Sequence, residues 1–299
     1  MSGEATVRRV GLIGTGIMGA PLGRRLLKAG FSLAVFTRTR SRADELLAAG
    51  AEWADSAAEL AERVDAVISI VPDSPDVEQV YLGPVGVCAG PGQGGLAIDM
   101  STVAPGTAVR VAEAVQQRGG QFVDAPVSGG KTGAEAGTLS IMAGGDAEAI
   151  ERARPIFAAL GKRVVHCGPT GNGQLTKLCN QIICGLNLLA VGEALVFAKR
   201  LGLDPKTMLE AVSAGAAGSW AVDNLGPRMA DRDFAPMFMI DLQQKDLRLA
   251  LDAARLRTVP LPGTALVQQL LTANQAAGEG REGTQALLKT LERIAHVHN

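Results

Sequence analysis

Lys177 and Asn180 stand three residues apart on a stretch whose pattern reads as a helix, just after the glycine-punctuated turn Gly168-Pro169-Thr170-Gly171-Asn172-Gly173. Residues at i and i+3 share a helical face. An ammonium with three donors and a carboxamide with both donors and an acceptor can therefore address one small polar molecule, which is the equipment of carbonyl chemistry. Two ordinary polar residues on a solvated face would look the same in isolation. A second chemical feature lies near the N-terminus, where Gly14-Thr15-Gly16-Ile17-Met18-Gly19 follows an apolar run and opens a helical pattern. In that context the first glycine permits the tight turn, the second lets backbone approach a pyrophosphate, and the third packs helix on strand.

The elements needed to hold these residues follow from the periodicity. Val7–Ile13, Ser32–Phe36, Ala66–Val71, Leu96–Met100, Gln121–Val123, Leu139–Ala143 and Arg163–His166 read as strands, mostly separated by helical stretches such as Ile17–Ala29 and Ser41–Ala49. That alternation is an α/β doubly wound pattern. Beyond Cys167 only helices are expected, at Gly173–Leu201, Pro205–Ser213, Asp241–Leu256, Gly263–Ala277 and Glu282–Ala295. Asp204-Pro205 supplies a cap and a first-turn proline for the second of them. The expected organisation is a Rossmann-type N-terminal domain over residues 1–166 and an all-α C-terminal domain over 167–299, the latter beginning with a long linker helix. Gly129–Gly137 reads as a glycine- and alanine-rich loop.

Composition narrows the partners. A chain of 299 residues with 47% hydrophobic and 20% charged residues can bury two cores, and a net charge of -1 offers no global attraction to nucleic acid or an anionic membrane. A small-molecule partner is expected. Cys88, Cys167, Cys179 and Cys184 form no C-x-x-C pair and have no histidine cluster beside them, so metal binding is not expected and buried free thiols are. The start of the chain, Met1–Arg9, shows no apolar segment with a small-residue cleavage site, which suggests a cytoplasmic protein. The apolar run Ile182–Ala198 is broken by Asn187 and Glu193 and is short for a bilayer, so a buried helix is expected. Histidine is sparse, with His166 at a strand end and His296 and His298 near the C-terminus, which disfavours a histidine acid–base dehydrogenase. Trp220 is expected to pack in the helical domain or to border a cleft.

The second strand ends Phe36-Thr37-Arg38-Thr39-Arg40-Ser41-Arg42, and no acid follows in sequence until Asp44. An NAD-preferring site usually places a carboxylate there for the ribose 2′-hydroxyl, whereas a guanidinium can take a 2′-phosphate. NADP(H) is therefore favoured over NAD(H), with Thr37 and Arg38 at the phosphate.

Four ordered segments, Gly11–Gly19, Asp124-Ala125-Pro126-Val127-Ser128-Gly129-Gly130, Gly168–Asn180 and Lys245-Asp246-Leu247, together make the chain resemble the β-hydroxyacid dehydrogenases, the family of 3-hydroxyisobutyrate dehydrogenases and related reductases. Asp231–Phe234, Phe238–Leu242 and Asp246–Asp252 are most similar to its tartronate semialdehyde reductases. The resemblance implies that Lys177 is the catalytic proton donor, with Asn180 orienting the same substrate. A lysine ordinarily titrates near about 10.4 and is charged at neutral pH, which suits reduction of a carbonyl. It also implies that Ser128, Gly129 and Gly130 receive a substrate carboxylate, and that Lys245 reaches nicotinamide and substrate. Val71, Pro72 and Thr102 would lie along the cofactor beside Gly14, Gly16, Ile17, Met18 and Gly19. The implied reaction is NADPH-dependent reduction of a small 3-oxo acid in a cleft between domains of a homo-oligomer. Glyoxylate or succinate semialdehyde reduction and 3-hydroxyisobutyrate oxidation are the alternatives within the family. A non-catalytic dinucleotide sensor would need none of Lys177, Asn180, Ser128 and Lys245, and imine reductases usually lack the lysine.

Overall fold

The computed structural model describes residues 7–90 and 95–297. The N-terminal stretch before Val7 and His298 lie outside the described residues. Two compact units result, one ending at Lys177 and the other beginning at Leu178, so the division falls inside a long helix rather than at residue 166.

In the first unit strands β1 (Arg9–Ile13), β2 (Ser32–Phe36), β3 (Glu52–Trp53), β4 (Ala66–Ser69), β5 (Leu96–Asp99) and β6 (Gln121–Asp124) form a parallel sheet in the order β3-β2-β1-β4-β5-β6. β4 and β5 are buried at every residue, as expected of strands covered on both faces. Helices α1 (Gly19–Lys28), α2 (Asp44–Ala48), α3 (Ala57–Arg63), α4 (Ser74–Leu82) and α5 (Pro105–Gln117) connect them. Leu22 and Leu26, one turn apart on α1, join Leu12, Val35, Leu46 and Ile68 in the core, each side chain contributing about 1.5–3 kcal/mol by burial. Ser56 caps α3 by accepting the Glu59 amide, and Asp73 with Asp76 forms a capping box at α4.

The sheet then departs from pure doubly wound topology. β7 (Val127–Ser128) and β8 (Leu139–Gly145) are joined by helix α6 (Gly130–Ala136), and after α7 (Ala147–Leu160) comes β9 (Gly161–Gly168). β8 pairs antiparallel with β6 and β7, while β9 is parallel to β8. The expected loop over Gly129–Gly137 is thus largely a helix. Its small residues let it approach closely, with Gly133 and Ala134 buried.

Helix α8 (Asn172–Arg200) runs on into the second unit, followed by α9 (Pro205–Ser213), α10 (Gly226–Ala230), α11 (Ile240–Arg255), α12 (Pro262–Ala276) and α13 (Leu287–Ile294). Asp204 caps α9 by accepting the Thr207 amide at 2.8 Å, as Asp204-Pro205 implied. The core of this unit gathers Leu188, Val191, Leu195, Ile240, Leu247, Val267 and Leu287. α8 is long and apolar enough to cross a membrane by length and composition, and 44% of its most apolar stretch is buried within the fold. Its outer face exposes Ile183 and Phe197, so the expected buried helix is buried on one side only.

Other expectations need correction. All four cysteines are free, but none is buried, and Cys179 and Cys184 are exposed because they occupy the outer face of α8. Trp220 is exposed, which removes packing in the helical domain but not the alternative of bordering a cleft. Among the described residues no cluster of three His, Cys, Asp or Glu side chains could hold a metal.

Candidate active site

The C-terminal ends of four parallel strands lie in step, with Ile13 beside Ser69, Ser69 beside Asp99, and Asp99 beside Asp124. The residues that follow each end are therefore neighbours along one edge: Gly14 after β1, Val71 and Pro72 after β4, Thr102 after β5, and Ser128 a few residues after β6. The strand order reverses between β1 and β4, the switch point at which ligands gather in such sheets.

The glycines of the first turn divide their work as the fingerprint requires. Gly14 has φ +94°, and its N–H donates to the Phe36 carbonyl at 2.9 Å. A Cβ at Gly14 would press on the Ile70 carbonyl, and one at Gly19 would fall onto the Gly14 carbonyl oxygen. A Cβ at Gly16 would meet nothing within 4 Å, so the face that should receive a pyrophosphate is open to close approach. Ile17 is exposed beside it and Met18 half-buried. The residues present fit a bound dinucleotide.

At the end of β2, Thr37 is half-buried and Arg38 is exposed. The Arg38 guanidinium pairs with Asp76 at 3.0 Å, with side-chain exposures of 76% and 24%. Asp76 comes from the first turn of α4, far away in sequence from the residues that follow β2. An ion pair this exposed is worth at most about 1 kcal/mol, so a phosphate can compete for the guanidinium. Arg40 lies over the Trp53 ring at 4.7 Å.

Beneath the edge lies a buried polar network. Asp99 accepts from the Ser69 hydroxyl at 2.7 Å, the Ser101 hydroxyl at 2.7 Å and the Ser101 amide at 3.2 Å. Ser101 Oγ in turn accepts the Val71 amide at 2.9 Å, which ties the β4 turn to the β5 turn. Tyr81, fully buried, shares a 2.9 Å hydrogen bond with Ser69; burial first, and then the nearby Asp99 charge, pushes its phenol well above the ordinary value.

Ser128 sits on β7 opposite Ser140, and Gly129 and Gly130 follow with φ +129° and +59°, conformations that only glycine adopts cheaply. Lys177 is in the second turn of α8 and is 7% exposed. Asn180 is half-buried on the same helix and donates to Gln181 Oε1 at 2.8 Å.

In the helical unit Gln181 donates to Asp246 Oδ2 at 2.5 Å, and Asp246 Oδ1 lies 2.8 Å from Lys245 Nζ. Asn180 and Lys245 are thus joined through Gln181 and Asp246. Asp246 is 2% exposed, so this is a desolvated ion pair.

Asp124 is the acid that residue spacing did not single out. Burial pushes its carboxyl up to about 7, against the pull of the Gly171, Gln174 and own-residue amides, and Asp99 adds to the rise. A carboxyl raised in this way holds its proton more tightly folded than unfolded. It therefore adds stability that is full below about pH 4 and is lost as pH climbs through about 7. Asp124→Asn removes that titration. Its melting temperature relative to the parent should rise between pH 4 and pH 7, and thermal denaturation at several pH values checks it.

Residues 9–168 match the family described as the NAD binding domain of 6-phosphogluconate dehydrogenase. Residues 171–291 match the one described as NAD-binding of NADP-dependent 3-hydroxyisobutyrate dehydrogenase. The 2-hydroxy-3-oxopropionate reductase of Escherichia coli K12 is 43% identical over 96% of this chain and 98% of its own. A probable 3-hydroxyisobutyrate dehydrogenase-like 1 protein of Arabidopsis thaliana, described as mitochondrial, is 44% identical over 97% of this chain and 86% of its own. The solved Mycobacterium tuberculosis 3-hydroxyisobutyrate dehydrogenase with L-serine superposes with a TM-score of 0.88 at 31% identity, covering 96% of this chain and 99% of that one.

Proposed function

Since this chain belongs to the β-hydroxyacid dehydrogenase family and is an NAD(P)-dependent enzyme acting on CH–OH, we propose that it reduces tartronate semialdehyde to D-glycerate with NADPH. The observation that carries the reading is the single edge formed by the ends of β1, β4, β5 and β6. Glycines there are shaped for a pyrophosphate, and the same strand end that carries Asp124 anchors the helix bearing Lys177. The E. coli relative's name, 2-hydroxy-3-oxopropionate reductase, supports this substrate above the others.

A nicotinamide held there would supply hydride to the carbonyl carbon. Lys177 stabilises the alkoxide that develops on the carbonyl oxygen and gives it a proton, and Asn180 orients the same oxygen from one turn further on. Ser128 and the amides of Gly129 and Gly130 take the substrate carboxylate, with Lys245 as a further cation. Gly14, Gly16, Ile17, Met18, Gly19, Val71, Pro72 and Thr102 line the dinucleotide. Glyoxylate, succinate semialdehyde and 3-hydroxyisobutyrate share the carboxylate and the reacting carbon, and one methylene separates substrates by only about 1–3 kcal/mol. Initial rates of reduction of the oxo acids with NADPH and NADH, and of oxidation of 3-hydroxyisobutyrate with NADP+ and NAD+, test the reading. A preference for any other substrate would refute tartronate semialdehyde.

Thr37 and Arg38 hold the 2′-phosphate in this proposal. Arg38→Asp puts a second acid beside Asp76 and should reverse the ratio of kcat/KM for NADPH over NADH, by about tenfold to a hundredfold, since charge-assisted pairs contribute about 1.5–3 kcal/mol. An unchanged ratio would place the phosphate elsewhere. Exposed Ile183, Phe197 and Ile294 in the helical unit support a homo-oligomer, for which sedimentation is the measurement.

A further inference from the structure

We propose that Asp124 and Gln174 are positioning residues that fasten the first turn of α8, and with it Lys177, to the ends of β5 and β6. The inference rests on the reading of Lys177 as proton donor, but its geometry is independent of that reading. Asp124 Oδ1 accepts the Gly171 amide at 2.7 Å, and Oδ2 accepts the Gln174 amide at 2.9 Å. A carboxylate some 50 residues away in sequence thus takes the place of a local cap, satisfying amides that the start of a helix leaves without intrahelical partners. The Gln174 side chain makes the second tie. Its Oε1 accepts the Val103 amide at 3.0 Å, and its Nε2 donates to the Ser101 carbonyl at 2.9 Å, bracketing Thr102.

Asp124 and Gln174 are both fully buried. The fit around them leaves no slack. A Cβ on Gly173 would lie 2.6 Å from the Asp124 carbonyl oxygen, and one on Gly144 would lie 2.7 Å from the Gly173 amide nitrogen. The helix start is thus seated on β6 and β8 with glycine on both sides of the contact. Lys177 follows Gln174 by three residues, hence on the same side of the helix. Through Ser101, the same ties reach Asp99 and the Val71 turn, so the position of the proposed acid is linked to the turns proposed to hold the dinucleotide.

The test uses full-length Asp124→Asn and Gln174→Met, with Lys177→Ala and the double variant Lys177→Ala/Asp124→Asn. Assayed at pH 8, where the Asp124 carboxyl is ionised, Asn keeps the shape but places a donor where one amide needs an acceptor. Met keeps the length but loses both side-chain bonds. In either variant, hydrogen exchange in the peptide covering residues 171–178 should accelerate. kcat should fall about tenfold to a hundredfold, the scale of a misplacement near 1 Å, while KM for the oxo acid and Kd for NADPH move less than about threefold. The double variant should lose no more than Lys177→Ala alone, because both changes remove one acid. Unchanged exchange in both variants, or fully multiplicative losses in the double, would overturn the proposal. If Lys177→Ala kept full activity, the reading of Lys177 would fail, and exchange alone would then decide whether Asp124 and Gln174 seat the helix. Should one substitution prevent folding, the other carries the same test.

Discussion

Lys177→Ala should retain its fold and its affinity for dinucleotide but lose about a thousandfold in kcat. General acid catalysis by a positioned side chain contributes about 10²–10⁴-fold, and stabilisation of the developing alkoxide by the same ammonium adds to it. The loss should appear in kcat and kcat/KM together, because the interaction is made with charge that exists only in the transition state. Lys177→Arg should not restore the rate. A guanidinium stays protonated at every accessible pH and cannot give up its proton, and at a site 7% exposed its larger fork has no room to keep the geometry. Single-turnover reduction by bound NADPH, followed by loss of its absorbance, separates the chemical step from product release. A single-turnover rate within tenfold of the parent would remove Lys177 from the proton transfer.

That such a lysine could be named at all depends on how local its signal is. The spacing of Lys177 and Asn180, the glycines of the first turn, and the alternation of apolar runs with helical stretches are all written within windows of twenty residues or fewer. The strands and helices that were expected accordingly agree with the structure to within a few residues from β1 to α12, while β3, β7, α6 and α10 were not among them. The partnerships made across the sheet were not legible. Asp76 reaches Arg38 only because α4 begins beside the end of β2, and Asp124 reaches Gly171 and Gln174 only because β6 ends where α8 begins. Gly129–Gly137 misled for a different reason. Glycine and alanine are poor evidence for a helix when counted as a glycine-rich tract, yet their small size is what lets Gly133 and Ala134 bury against the sheet. The cysteines misled in the opposite direction: an average tendency to be buried said nothing about which face of α8 Cys179 and Cys184 would occupy.

Gly16→Ala and Gly19→Ala should fail in different ways, and the difference tests the dinucleotide site without any assay of turnover. At Gly16 a methyl group meets no protein atom within 4 Å, so the dinucleotide-free protein should melt within about 2 °C of the parent, as a change near zero in folding free energy requires. The same methyl would stand where the pyrophosphate must approach the backbone, and Kd for NADPH should rise at least about tenfold, equivalent to about 1.4 kcal/mol. At Gly19 the methyl falls onto the Gly14 carbonyl oxygen, and that oxygen cannot retreat freely. Gly14 is already held at φ +94°, its N–H is bonded to Phe36, and the space above its own Cα is closed by Ile70. Either the turn opens or α1 lifts from the sheet, and α1 carries Leu22 and Leu26 into the core. Overpacking of this kind costs about 1–3 kcal/mol, so Gly19→Ala should lower the melting temperature of the free protein by several degrees as well as weaken NADPH binding. Thermal denaturation without dinucleotide and titration of NADPH fluorescence read the two effects separately. Full NADPH affinity in Gly16→Ala would mean that the dinucleotide does not approach the backbone at this turn, and the cofactor assignments from Gly14 to Gly19 would fall with it.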